Sequence, residues 1–155
     1  GQQIDFDLSA YRYNNIARSR AKGVEAEIEL RPSNRLTLSA NYSYTDSEGR
    51  QENVADYSRL LRRPVHSLNV AMDWNAFDAV KLGASLRIVS DSRDGFGGST
   101  RIDGFAIASV RAAIPVTEDL ELYGRVENLF DTEYQTVAGY KAYGRNAHFG
   151  LRAKF

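Results

Sequence analysis

The sequence contains no cysteine in 155 residues. That excludes a disulfide, a thiolate metal site and a cysteine nucleophile. It fits a reducing or an oxidising compartment equally. Histidine is nearly as scarce. His66 and His148 are the only two, far apart in sequence and on opposite faces of their own alternating segments. A two-histidine metal site needs both on one side, so none is expected. No sign of charge dominates, because 20 Lys and Arg balance 20 Asp and Glu. The chain therefore lacks the basic footprint of a nucleic-acid binder. It also lacks any apolar run approaching the roughly 18 residues of a transmembrane helix. It opens Gly-Gln-Gln, with no initiator Met and no signal-peptide pattern, and reads as a piece of something longer.

Composition itself decides little. Hydrophobic residues make up 43% and charged residues 26%, which suits an ordinary soluble domain. A transmembrane barrel has the same look, because its strands alternate apolar and polar side chains.

What is present is a period of two along nearly the whole chain. Ile4, Phe6 and Leu8 alternate with acidic neighbours. Val24, Ala26, Ile28 and Leu30 alternate with Glu25, Glu27 and Glu29. The same pattern runs through 36–45, 68–74, 81–88, 108–114, 120–127 and 148–155. These make about eight strands, most about nine to eleven residues long, as tilted transmembrane strands are. The only helix-like stretch, residues 57–63, is short and basic. No linker or composition shift marks a second domain.

The links between strands alternate in length. Pro32-Ser33-Asn34, residues 75–78 and residues 117–119 are short. Residues 46–63, 91–102 and 131–145 are long and polar, and residues 11–21 fall at the same end. Outer-membrane barrels pair tight periplasmic turns with long extracellular loops in this way. Tyr42, Tyr44, Trp74 and Phe155 fall at strand ends on the apolar face, where interfacial girdles lie. The final segment ends on an aromatic, with Phe149, Leu151 and Phe155 on one face. That is the type of signal the outer-membrane assembly machinery reads. A lipocalin-like soluble barrel also alternates, with its apolar face inside. The charges on the polar face suit a wet lumen or a solvated surface equally.

Several other groupings read as structural. Asp91, Asp94 and Asp103 flank a loop with Gly95, Gly97 and Gly98, but Arg93 and Arg101 interrupt them and no EF-hand spacing is present. They are expected to be solvated. The glycine-rich loop opens no helix, so it is not a phosphate cradle. Ser67, Ser90 and Ser109 have no plausible base beside them. Glu25, Glu27 and Glu29 are expected to pair with Arg and Lys across a lumen. Asn41-Tyr42-Ser43 fits a glycosylation pattern only formally, in the middle of a strand.

The segment Val126-Glu127-Asn128-Leu129-Phe130-Asp131 resembles the Asn-Leu-Phe-Asp signature near the end of TonB-dependent receptors. Gly23-Val24-Glu25 resembles a strand start of the same family, and Leu60-Leu61-Arg62-Arg63-Pro64 the entry to a later strand. The run from Tyr134 to Tyr140, followed by Gly144-Arg145, looks most like the cobalamin receptor branch.

The resemblance implies an all-β fold, a transmembrane antiparallel barrel. Residues 1–155 would be the C-terminal part of a twenty-two-stranded barrel, and the plug domain would be absent from this chain. It further implies a bacterial outer-membrane receptor with no catalysis and no cofactor. The role would be TonB-dependent uptake of a scarce nutrient, cobalamin favoured over a ferric siderophore. Partners would be outer-membrane lipid, the remaining strands, the plug, TonB through that plug, and the ligand. Tyr140, Tyr143, Arg145, Arg62 and Arg63, in the long-loop end, are the expected ligand contacts. Two alternatives stay open: a free-standing eight-stranded outer-membrane barrel with a structural or adhesive role, and a soluble lipocalin-like binding protein.

Overall fold

A computed structural model of the chain describes residues 3–7, 12–51, 56–77, 79–95 and 98–154. Leu8, Tyr11, Asp78, Gly97 and Phe155, named above, lie outside the described residues. The described strands are β1 (Gln3–Asp7), β2 (Arg12–Ser33), β3 (Leu36–Gln51), β4 (Ser58–Arg59), β5 (His66–Ala76), β6 (Val80–Val89) and β7 (Ser92–Asp94). They continue with β8 (Thr100–Ile102), β9 (Phe105–Pro115), β10 (Leu120–Glu127), β11 (Gln135–Val137), β12 (Tyr140–Lys141) and β13 (Asn146–Ala153).

One antiparallel ladder runs β1-β2-β3-β5-β6-β9-β10-β13, with β4 attached to β3. Each long strand pairs with the next long strand in the chain, so the sheet is a meander. No pairing joins β1 to β13 among the described residues, and the sheet is open. β7–β8 and β11–β12 are small separate hairpins at the long-link end.

Register keeps the two faces chemically distinct across the whole ladder. Ile28, Ala40, Val70, Leu86 and Ala108 lie in one row. Glu27, Asn41, Asn69 and Arg87 lie in another on the opposite face. A slip of one residue would exchange the two faces in any strand, so the apolar pattern pins the register. No second layer covers the apolar face among the described residues. Val24 is 64% exposed and Phe149 78%, and no large side chain is fully buried among the described residues. A lipocalin-like barrel requires that face to be its core, and here it is bare.

Aromatic residues bound this apolar band. Tyr42 and Tyr44 pack against His66, and the Tyr42 hydroxyl lies 2.8 Å from His66 Nδ1. At the other end Trp74 meets Phe77, with ring centroids 6.1 Å apart. His66 and Trp74 are eight positions apart on β5, about 26 Å along the strand. At a strand tilt of about 40° this is about 20 Å of height, inside a lipid-facing band of about 25 Å.

The structure departs from the sequence reading at the long-loop end. Most of residues 11–21, expected in a loop, belongs to β2, and residues 46–51 continue β3. The two strands stay paired from Ser33↔Leu36 up to Ile16↔Gln51, well past the start of β5 at Tyr44↔His66. Here Arg18, Arg20 and Lys22 alternate with Ser19, Ala21 and Gly23, so the projection repeats no apolar face to read. Residues 57–63 form no helix. Ser58 and Arg59 pair with β3 and a turn follows, with Arg62 at φ 56°.

Candidate functional site

Burial concentrates where the long links meet. Val89, Ile102, Ser92, Asp94 and Asn128 are all buried there. Asp94, only 3% exposed, is the hub. Its Oδ1 accepts from Arg62 Nε at 2.9 Å and from Gly95 N at 2.8 Å. Its Oδ2 accepts from Ala138 N at 2.8 Å. One carboxylate thus joins the link before β5, the β7–β8 hairpin and the last long link. Burial alone would push its pKa up. The backbone donors of Ala138 and Gly95, with Arg62, outweigh that and hold the carboxyl below the usual carboxylate range.

Further bonds fix the same assembly. Arg62 N donates to Arg93 O at 2.7 Å. Ser90 Oγ accepts from Val65 N and His66 N at 3.0 and 3.1 Å. Phe105 and Tyr134 pack with ring centroids 4.4 Å apart. Arg101 lies between Asp91 and Asp103, at 3.7 and 3.3 Å. A cleft of about 210 Å³ opens beside them, lined by Arg101, Asp103, Glu133, Tyr134, Gln135 and Lys141 among others.

The segment after β10 is a locked turn. Asn128 and Asp131 both adopt positive φ, 52° and 55°. The Asn128 side chain donates from Nδ2 to Thr132 O and accepts from Thr132 N through Oδ1, both at 2.9 Å. Asp131 Oδ1 accepts from Arg145 N at 2.7 Å, so the end of the long link returns to its start. Leu129 N donates to Ala108 O at 2.8 Å and anchors the turn on β9.

On the polar face of the sheet, ion pairs reach over intervening strands. Arg111 on β9 pairs with Asp73 on β5. Its guanidinium passes over Gly83 of β6, where a Cβ would come within 2.6 Å of Arg111 Nε. Lys81 on β6 reaches Glu121 on β10 at 3.4 Å, and Arg152 on β13 joins the same carboxylate. These groups line a trough of about 640 Å³.

The TonB dependent receptor-like, beta-barrel family matches residues 2–129. The chain belongs to the TonB-dependent receptor β-barrel family. Members are transport receptors of the bacterial outer membrane, and the bare apolar band is the lipid-facing wall of such a barrel.

Solved structures share the fold. The siderophore receptor PiuA from Acinetobacter baumannii matches over 94% of this chain and 23% of its own, at 18% identity and a TM-score of 0.79. The ferric-catecholate import receptor Fiu from K12 E. coli, in its closed form, matches over 99% and 23%, at 20% identity and 0.77. The ferripyoverdine receptor of the outer membrane of Pseudomonas aeruginosa matches over 99% and 23%, at 19% identity and 0.76. The chain spans about a quarter of the length of these receptors.

Within this receptor wall, the signature residues Asn128, Leu129, Phe130 and Asp131 build the turn just described. Phe130 is exposed. Tyr140 and Tyr143 stand 74% and 90% exposed, and Arg145 and Arg63 are exposed too. Arg62 is drawn toward the last long link through Asp94, with its Nε committed to that carboxylate. None of these five expected contacts lines the cleft between the loops. Phe149 and Leu151 lie exposed on the lipid face, while Phe155 is outside the described residues.

One sequence expectation is corrected. Asp94 is not solvated: loop packing buries it, and three donors compensate the charge. The basic partners expected for Glu25 and Glu27 across a lumen are not found among the described residues. Their ladder neighbours are Ser43 and Asn41, and Glu29 pairs with Arg31 on its own strand at 2.7 Å.

Proposed function

We propose that residues 1–155 are the C-terminal part of the barrel domain of an outer-membrane receptor. The receptor takes up a scarce nutrient with energy delivered through TonB. The rest of the protein supplies the remaining strands of a twenty-two-stranded wall and a plug domain. The observation that carries this reading is the pairing of a bare apolar band with one-sided long loops in a chain of this family. An open ladder in lipid leaves unpaired backbone groups, so both edges need further strands.

The ligand we assign is a ferric chelate of the siderophore class. Receptors named for siderophores share the fold over nearly all of this chain, and the cobalamin expectation gains nothing from them. Cobalamin remains a second reading, carried by the run from Tyr134 to Tyr140 with Gly144-Arg145. Exposed Tyr140, Tyr143, Arg145 and Arg63 offer stacking and charge to either ligand, and Arg62 helps hold the loops that present them.

Calorimetry on the full-length receptor in detergent separates the two. Titration with a ferric catecholate, a ferric hydroxamate and cyanocobalamin is expected to give saturable binding of one ferric chelate alone. Binding of cyanocobalamin alone installs the second reading. Binding of none at micromolar concentrations, with unimpaired growth of a deletion strain in iron-poor medium, removes both.

A further inference from the structure

Charge on the projecting β2–β3 hairpin is confined to one side. The last apolar row is Val24↔Tyr44, with His66 beside it. Beyond it on the same face come Lys22↔Asp46, then Arg20↔Glu48, then Arg18↔Arg50. Arg59 of β4 pairs with Glu48 from the other side. That makes five cations against two carboxylates, a net excess of three. The opposite face at the same heights carries Ser19↔Gly49, Ala21↔Ser47 and Gly23↔Thr45, with no charge at all.

The two carboxylates are already engaged. Arg20 holds Glu48 at 2.6 Å and Lys22 holds Asp46 at 3.4 Å, while both cations stay 66% and 79% exposed. Arg18 and Arg50 stand directly opposite each other, an arrangement that is unfavourable without an anion between them. Arg18 has no carboxylate partner among the described residues, while Arg50, its Nε buried without a hydrogen-bond partner, lies over the Tyr57 ring at 5.6 Å beside Arg20 at 4.3 Å.

Position identifies the anion. This face continues the lipid-facing band upward. Lys22 lies about 7 Å and Arg18 about 20 Å beyond Val24 along the strand. With strands tilted by about 40°, these cations begin in the headgroup layer and extend just above it. We propose that the outward face of the β2–β3 hairpin binds the phosphate groups of outer-leaflet lipid through Arg18, Arg20 and Lys22. Lipid phosphates meet two needs here, an anion at this height and continuity with the bare apolar band below.

The test uses the full-length receptor in detergent, with native mass spectrometry of bound lipid. The probes are hexa-acylated lipid A with both phosphates, the same lipid without phosphates, and inorganic phosphate. The receptor is expected to hold the bisphosphorylated lipid at least about tenfold more tightly than the phosphate-free form, given the strength of Lys and Arg at anionic surfaces. R18Q/R20Q/K22Q is expected to erase that preference. D46N/E48Q is expected to strengthen it, whereas a merely structural role would weaken binding in both variants. If the triple variant loses heat-modifiable mobility, Arg18→Gln alone replaces it, since that change relieves a like-charge pair and is expected to weaken lipid binding. Equal binding of phosphate-free lipid, or wild-type affinity in the variants, overturns the proposal. So does saturation by inorganic phosphate with lipid binding unaffected, which would mark a free-anion site.

Discussion

Arg62 Nε donates to Asp94 Oδ1 at 2.9 Å across 32 positions of sequence. The same carboxylate takes the N–H of Ala138, a further 44 positions on. Three links that the sequence scatters are therefore held by one buried charge. Asp94→Asn removes the charge and turns an NH2 group toward one of the donors. The loss should be about 2 kcal/mol of local stability, the scale of a hydrogen bond to a charged group. Hydrogen exchange on the full receptor is the measurement. The amides of Gly95 and Ala138 should exchange roughly thirtyfold faster, while those of β5 and β6 stay unchanged. Unchanged exchange at Ala138 would mean that the loops hold without the hub.

The same carboxylate sets a pH dependence. Its pKa in the folded loops lies below the usual carboxylate range. A lowered pKa stabilises the fold while the group is ionised, so the contribution is complete above about pH 4, the ordinary aspartate value. It declines as pH falls below that value and is gone once pH passes the lowered pKa. Protection of the Ala138 amide, corrected for intrinsic exchange, should be flat from neutral pH to about 4 and then fall. In Asp94→Asn the acid step should vanish.

The ladder was legible because its strands keep one apolar face. Val70, Leu86 and their row neighbours sit where alternation put them, and the short turns follow Ser33, Ala76 and Pro115, so that Pro32 and Asn75 end strands instead of opening turns. The β2–β3 projection was not legible, since Arg18, Arg20 and Lys22 alternate with the small Ser19, Ala21 and Gly23 and no apolar face is repeated. Asp94 was misread for a related reason. An Asp beside a glycine looks solvated, and only packing of distant links buries it. The Asn128 turn was visible as a signature but not as a geometry, because its partners are backbone groups that carry no residue identity.

Gly83 offers a direct test of the lumen network. Arg111 crosses this glycine to reach Asp73, and any side chain there occupies its path. In a double-mutant cycle, Asp73→Asn and Arg111→Gln should couple by about 0.5–1 kcal/mol, as expected for a solvated pair. In a Gly83→Val background the coupling should fall to zero while the receptor still folds. Retained coupling would show that Arg111 reaches Asp73 by another route.

Phe149 lies over Gly124 of the neighbouring strand, where a Cβ would come within 2.9 Å of its ring. The ring covers glycine backbone on the lipid face while remaining 78% exposed itself. Replacing Phe149 and Leu151 by Ala should reduce outer-membrane assembly several-fold without changing ligand affinity of the assembled fraction. Quantifying heat-modifiable receptor in outer-membrane fractions tests this. Equal assembly of the variant would remove both residues from the recognition signal.

Asn128 separates backbone conformation from hydrogen bonding. Its φ of 52° disfavours most side chains, and its amide satisfies both backbone groups of Thr132. Asn128→Ala loses both hydrogen bonds and keeps the conformational penalty, for a cost of about 3 kcal/mol. Asn128→Gly removes the conformational penalty but restores no bond, so its cost should be about 1 kcal/mol less. Limited proteolysis of the full receptor reports the difference. Cleavage within 131–145 should be fastest in the alanine variant, intermediate in glycine and slowest in wild type. If glycine matched wild type, the turn would depend on φ alone and the amide bridge to Thr132 would contribute nothing.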